Sequence, residues 1–301
     1  WYHVAVTYDG ATAALYVDGL RLGATESISI VMEQDASKIT TIGQPLAAAG
    51  AYFDGAIDSV ALWNSALTSA QINTAYNKGM PGDLTGLSPV SWWRMGEGDV
   101  GSNLLTDQMD TTRGSEIIIN GDMELDDNWN DFSSPTTNER STTQVYSGTY
   151  SRKCVADSGS DGLKSDTITG TAGEMYEVSL YYWLASGGAA GKLLARLQNG
   201  DGGDIDSSHS LTTTNAWTNY TFYTQATITG SSSYLKVLQN GSGASTFYLD
   251  NVSVKEIGGH AGKLKNTPTS SRSVPAEDAS YNHRSINFNG TNERMTTGAD
   301  A

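Results

Sequence analysis

The chain of 301 residues holds one cysteine, Cys154, and six prolines, and its 18 Lys and Arg stand against 33 Asp and Glu. A single thiol excludes an internal disulfide framework and any zinc site built on several thiolates. The formal charge of −15 repels a polyphosphate, so nucleic acid is not an expected partner. No run approaches the roughly 20 apolar residues of a membrane-crossing helix, and no basic-then-apolar leader is seen. Membrane insertion is therefore not expected. The chain opens on Trp1 and runs straight into strand-like sequence, which reads as a piece of something longer. Its four histidines, His3, His209, His260 and His283, are scattered, with no metal-ligand or triad spacing.

What is present is glycine, 33 residues, and 9% aromatics, a profile of many short strands joined by tight turns. The expected class is all-β, built of antiparallel sandwiches. His3 to Tyr8 and Ala14 to Val17 are expected to pair across Asp9-Gly10, and a second turn follows at Asp18-Gly19. Strands are expected near Ile39 to Gly43 and over Gly55 to Trp63. One helix, near 68–78, is announced by the capping box Thr68-Ser69-Ala70-Gln71 and ended by Gly79 and Pro81. Strand-like sequence returns at Val90 to Met95, and alternating strands recur from Ile117 to Ile257 at sandwich-like spacing. A final strand at Ser285 to Phe288 has no evident partner nearby in sequence.

Trp1 to Gly10, Leu15 to Gly19 and Phe53 to Trp63 resemble the second half of laminin-G-like (concanavalin-A-like) jelly rolls. Trp93 to Gly98 and Ser285 to Gly290 are similar to the opening strands of another copy. Between them, Asn120-Gly121-Asp122-Met123-Glu124, Tyr146 to Ser151 and Phe247 to Val254 resemble the jelly-roll carbohydrate-binding modules. These resemblances imply a sandwich inserted into a sandwich. Residues 1–67 close one laminin-G-like unit, 68–89 are helix and linker, 90–114 and 259–301 open a second unit, and 115–258 form the insert. Surface loops accept such insertions when their ends lie close. Tyr76 to Leu84 and Ser88 to Gly96 resemble linkers in structural proteins of marine tailed bacteriophages.

Two carboxylates share a strand face with aliphatic residues by two-residue alternation: Asp58 with Val60 and Leu62, and Asp250 with Val252 and Val254. A desolvated carboxylate needs a cation or several donors. The module resemblance implies calcium at Asp250, completed by Glu124 and backbone oxygens near Asn120; a cation or backbone amides would match Asp58. Sugar recognition needs an exposed ring beside polar groups. Trp129, Tyr181 and Trp183 are the expected plates, with Gln198 and Asn199 as polar partners, and alternation sends Tyr182 to the face opposite Tyr181 and Trp183. Glu124-Leu125-Asp126 resembles the start of a β-glucanase catalytic strand, but Asp127-Asn128-Trp129 follows where the partner carboxylate should stand.

The expectation is a non-enzymatic, all-β virion segment at the virion surface or outside the cell, a tail-fibre or other appendage. Its inserted module would bind host-surface or environmental glycans. Other virion subunits, including further copies of the chain, are the expected protein partners. Accessory modules of a secreted polysaccharide-degrading enzyme, and a purely architectural spacer, are the alternatives.

Overall fold

The computed structural model describes residues 1–28, 40–44, 52–95, 104–171, 174–186, 193–198, 209–225, 230–241, 243–259, 261–265, 269–271, 285–289 and 294–297. Described residues are mostly β, in antiparallel sheets forming sandwich-like jelly rolls, with one α-helix, Ser69–Tyr76. Two compact units emerge. One joins Trp1–Thr111 to Gly258–Thr297, and the other is formed by Thr112–Ile257.

In the first unit, Val4–Tyr8, Thr12–Val17 and Leu20–Ser27 make an antiparallel meander. Asp18 and Gly19 both take positive φ, 50° and 76°, at the second turn, as a two-residue hairpin of the primed type requires. Helix Ser69–Tyr76 begins at Thr68 with the capping box complete and ends at left-handed Asn77. Its buried residue, Ile72, packs with Ala14, Tyr16 and Leu67.

A second cluster, Trp93, Met95 and Leu105, takes in Ile42, Ile57 and Val60. The strand at Ser285–Asn289 does have a partner, pairing antiparallel with Asp54–Ile57. Arg294–Thr297 likewise pairs with Thr40–Ile42. Segments read as the close of one laminin-G-like copy and the opening of another thus lie in one unit.

The second unit is a sandwich of two sheets. The first orders Thr137–Ser141, Ser151–Ala156, Ser245–Ile257, Met175–Leu184 and Thr218–Gln225, with Arg113–Glu116 added on Ser245–Ile257. The second orders Trp129–Phe132, Gly162–Ser165, Gly230–Gln239, Leu193–Gln198 and His209–Leu211, with Ile168–Gly170 added on Gly230–Gln239. The core between them takes every second residue: Val178, Leu180, Tyr182 and Leu184 from one strand, Ala195 and Leu197 from another, Leu235 and Val237 from a third. Each such burial contributes roughly 1.5–3 kcal/mol for a large aliphatic or aromatic chain.

A bulge interrupts Ser245–Ile257. Ser179 faces Ser253 and Tyr181 faces Asp250, so Asn251 and Val252 have only Leu180 between those pairs; Asn251 has φ 44°. The alternation changes phase there. Phe247 and Leu249 enter the core before it, Val252 and Val254 after it, which leaves Asp250 on the outward face.

Candidate functional site

The outward face of the first sheet carries Tyr181 and Trp183, with Tyr182 in the core, as the alternation requires. Tyr182 Oη accepts the Thr213 N–H at 3.1 Å, so its buried hydroxyl is satisfied. Tyr146, on the loop before Ser151–Ala156, stacks on Tyr181 with centroids 3.6 Å apart and lies 5.9 Å from Trp217. It is 42% exposed. Trp183 meets Tyr248 edge-on at 5.6 Å. These rings are largely occupied by one another.

Trp129 is not a plate for sugar. It is buried in the core, where its indole N–H donates to the Asn120 carbonyl at 3.0 Å. The strand Trp129–Phe132 turns its even positions outward instead, and Phe132 is half-buried. Gln198 is not beside Tyr181 and Trp183 either. Leu193, Ala195 and Leu197 fill the core, so Gln198 points out of the second sheet, on the far side of the sandwich. Asn199 lies outside the described residues.

That second outward face was not singled out from sequence. Tyr234 and Phe132 sit with centroids 6.4 Å apart at 45°. The Lys164 ammonium lies 5.5 Å from the Tyr234 ring and the Lys236 ammonium 4.9 Å from the Phe132 ring. Lys236 donates to Gln198 Oε1. Lys236 and Gln198 are 5% and 6% exposed although both point away from the core; Lys236 lies over the Phe132 ring and is bonded to Gln198, so neighbouring side chains enclose it. Alternation over 193–198 and 234–238 was the available signal, since it assigns Arg196, Gln198, Tyr234 and Lys236 to one face.

The acidic pair lies at the first sheet. Asp250 has no exposed surface. Its Oδ2 accepts the Tyr146 and Ser147 N–H groups, each at 3.0 Å, and its Oδ1 accepts its neighbour Asn251 N–H at 2.8 Å. Burial raises its carboxyl above the ordinary range, against those backbone bonds, and the Glu124 charge adds to the rise. Glu124 Oε1 accepts Thr149 and Tyr150 N–H at 2.6 and 3.1 Å, bonds that lower its own carboxyl. Both carboxylates therefore grip the 146–150 loop. Gly148 suits the loop because its φ of 69° is one that L side chains rarely adopt, and a Cβ there would also displace the Glu124 carboxylate, 2.1 Å away.

As ligands for a calcium ion, Asp250 and Glu124 offer charge, but between them they already accept five backbone N–H groups. Side chains alone do not complete a shell of 6–8 oxygens, and the described residues hold no cluster of three or more His, Cys, Asp or Glu suited to a metal. Asn120 does not add its side chain. Its amide binds the Leu125 and Asp127 carbonyls and the Leu125 N–H, closing its own turn.

Asp58 does not follow its expected alternation. Ser59 has φ 50°, which breaks the chain between strands Asp54–Ile57 and Val60–Leu62, and Leu62 is exposed. Asp126 of the glucanase-like run is paired with Arg152 at 2.8 Å. Arg152 is itself buried and also binds the Trp129 carbonyl at 3.2 Å. Both carboxylates of that run thus have structural tasks. Cys154 is buried, and burial raises its thiol far above the range of a reactive thiolate. No described helix is long and apolar enough to cross a membrane.

Residues 1–73 match the Laminin G 3 family, described as the concanavalin A-like lectin/glucanases superfamily. No curated protein matches the chain. Among solved structures, the CBM22-1 xylan-binding domain of Paenibacillus barcinonensis Xyn10C is similar at 16% identity, over 49% of this chain and 96% of that one, with a TM-score of 0.38. A family 16 carbohydrate-binding module is similar at 19% identity over 46% and 98%, TM-score 0.37. The enzymatically active domain of bacteriophage CBA120 tailspike protein 4 is similar at 14% identity over 47% and 21%, TM-score 0.36.

Proposed function

We propose that the Thr112–Ile257 unit is a non-catalytic glycan-binding module carried on a virion appendage, with the first unit as part of its scaffold. The observation that supports this most is the outward face of the second sheet, where Phe132 and Tyr234 adjoin enclosed Gln198 and Lys236. A sugar ring stacks its apolar face on an aromatic plate and gives its rim hydroxyls to such polar groups. One such contact is weak. Several copies on one particle, including further copies of this chain, raise it through effective concentration.

A second reading places sugar on the opposite face, at Tyr146, Tyr181 and Trp183, and is favoured by the exposure of Tyr146. Calcium belongs to this proposal: Glu124 and Asp250 would hold it, and it would offset the burial that disfavours the Asp250 charge. The phage setting draws on the run Tyr76 to Gly96. Immunolabelling of purified particles tests that setting.

A glycan array on the full chain, with and without chelator, tests the binding. Phe132→Ala with Tyr234→Ala is expected to abolish retention, and Tyr146→Ala to leave it. The reverse pattern moves the site to the first sheet, and no retention by the parent protein refutes the function.

A further inference from the structure

We propose that the outward face of the second sheet takes a polyanionic glycan, one carrying uronate carboxylates or sulfate esters. The inference rests on the reading of that face as a glycan surface and names its ligand class. Lys164 stands opposite Lys236, and Lys236 opposite Arg196, on three neighbouring strands. Leu163, Val237, Ala195 and Leu197 from the same strands enter the core, so the three cations share the outward face.

Like charges set opposite one another across strands destabilise a sheet. Here three of the chain's 18 basic residues form such a row in a protein of charge −15. The row gathers three positive side chains on one face of a chain whose formal charge is −15. Its geometry suits a charged sugar rather than a bare anion. Lys164 and Lys236 each lie near a ring, at 5.5 and 4.9 Å from the centroids of Tyr234 and Phe132. A pyranose stacked on either ring brings its acidic substituent to the adjoining ammonium, in a charge-assisted hydrogen bond. Gln198, bonded to Lys236, adds an amide for a neighbouring hydroxyl. Asp166, two residues beyond Lys164, accepts from the amides of Asn128 and Asn130 at 2.9 and 2.7 Å. A neutral glycan would meet these cations only as hydrogen-bond donors, without the charge-assisted bond an acidic one makes.

The test is affinity electrophoresis of the full chain in gels containing polygalacturonate, a sulfated galactan, or a neutral β-glucan and a neutral xylan, supported by titration calorimetry. The expected result is binding to an acidic polymer at least tenfold tighter than to either neutral one. Lys164→Gln and Arg196→Gln should each weaken it about fivefold or more, Lys164→Arg should keep it, and added salt should weaken the parent. The uronate and sulfate gels tell which acid is taken. Lys164 and Arg196 are only half-buried, and melting curves check that the variants fold. If neutral glycans bind as tightly as acidic ones and Lys164→Gln changes nothing, the charge inference is overturned while the glycan reading stands. If no polysaccharide binds, both fall.

Discussion

Replacing Asp250 by Asn isolates the charge at the centre of the first sheet. In the parent, Oδ2 takes two backbone N–H groups and Oδ1 takes one. Asn keeps one acceptor oxygen. Placed where Oδ2 stands, it retains Tyr146 and Ser147 but turns its amide toward the Asn251 N–H, leaving that donor without its partner at a cost of about 1–3 kcal/mol. Loss of a carboxylate that burial and Glu124 both disfavour offsets part of this, so in chelator the variant should melt within roughly 1–2 kcal/mol of the parent. On the calcium proposal the ion separates the two proteins: at about 100 times its dissociation constant it would stabilise the parent by about 2.7 kcal/mol, or roughly 5–10 °C for a unit of this size. Asp250→Asn should show little of that shift. Differential scanning calorimetry of both proteins, in calcium and in chelator, reads it directly. A parent indifferent to calcium, or a variant that keeps the full shift, refutes the reasoning.

Trp129→Ala should cost about 3–5 kcal/mol because the ring lies wholly in the core; denaturant melts measure the loss, and unchanged stability would place the ring elsewhere. The Asp161 carboxyl works in the opposite sense to Asp250. Burial opposes its charge, but bonds from Ser158, Ser134 and Ser133 outweigh this and hold it well below its ordinary 3.8. Its stability is present above that ordinary value and is lost as pH falls toward the folded one. Melting temperature should therefore decline below about pH 5, and Asp161→Asn should flatten the decline; an identical acid slope in the variant counts against the assignment. Cys154 should resist maleimide in the native protein and react on unfolding, as a buried, unionised thiol does. Rapid labelling under native conditions would contradict its burial.

The alternation in Tyr181-Tyr182-Trp183 was readable because that strand runs without interruption, so period two holds along its length. The Thr68 capping box was readable because its signal is local. Where the backbone takes positive φ, the same arithmetic fails. Ser59 breaks the alternation from Asp58 to Leu62, although the Asp58 Oδ2 is itself buried, and the bulge at Asn251 sets Asp250 on the outward face although its neighbours Val252 and Val254 are core. Which sheet a strand joins is a long-range fact. Gln198 and Tyr181 looked like partners, yet their strands belong to opposite sheets. Phe132 and Tyr234 are separated by about a hundred residues and become a pair only through the strands between them. The pairing of Ser285–Asn289 with Asp54–Ile57 spans still more of the chain, and nothing local announces it.

The central claim is that the outward face of the second sheet binds glycan. Calorimetric titration of the parent and the Phe132→Ala, Tyr234→Ala double variant with the same polysaccharide tests it most directly. Removing two rings that each bury roughly 1.5–3 kcal/mol of contact should weaken binding by at least tenfold while the melting temperature shows the sandwich intact. Equal affinity in the two proteins would contradict the account.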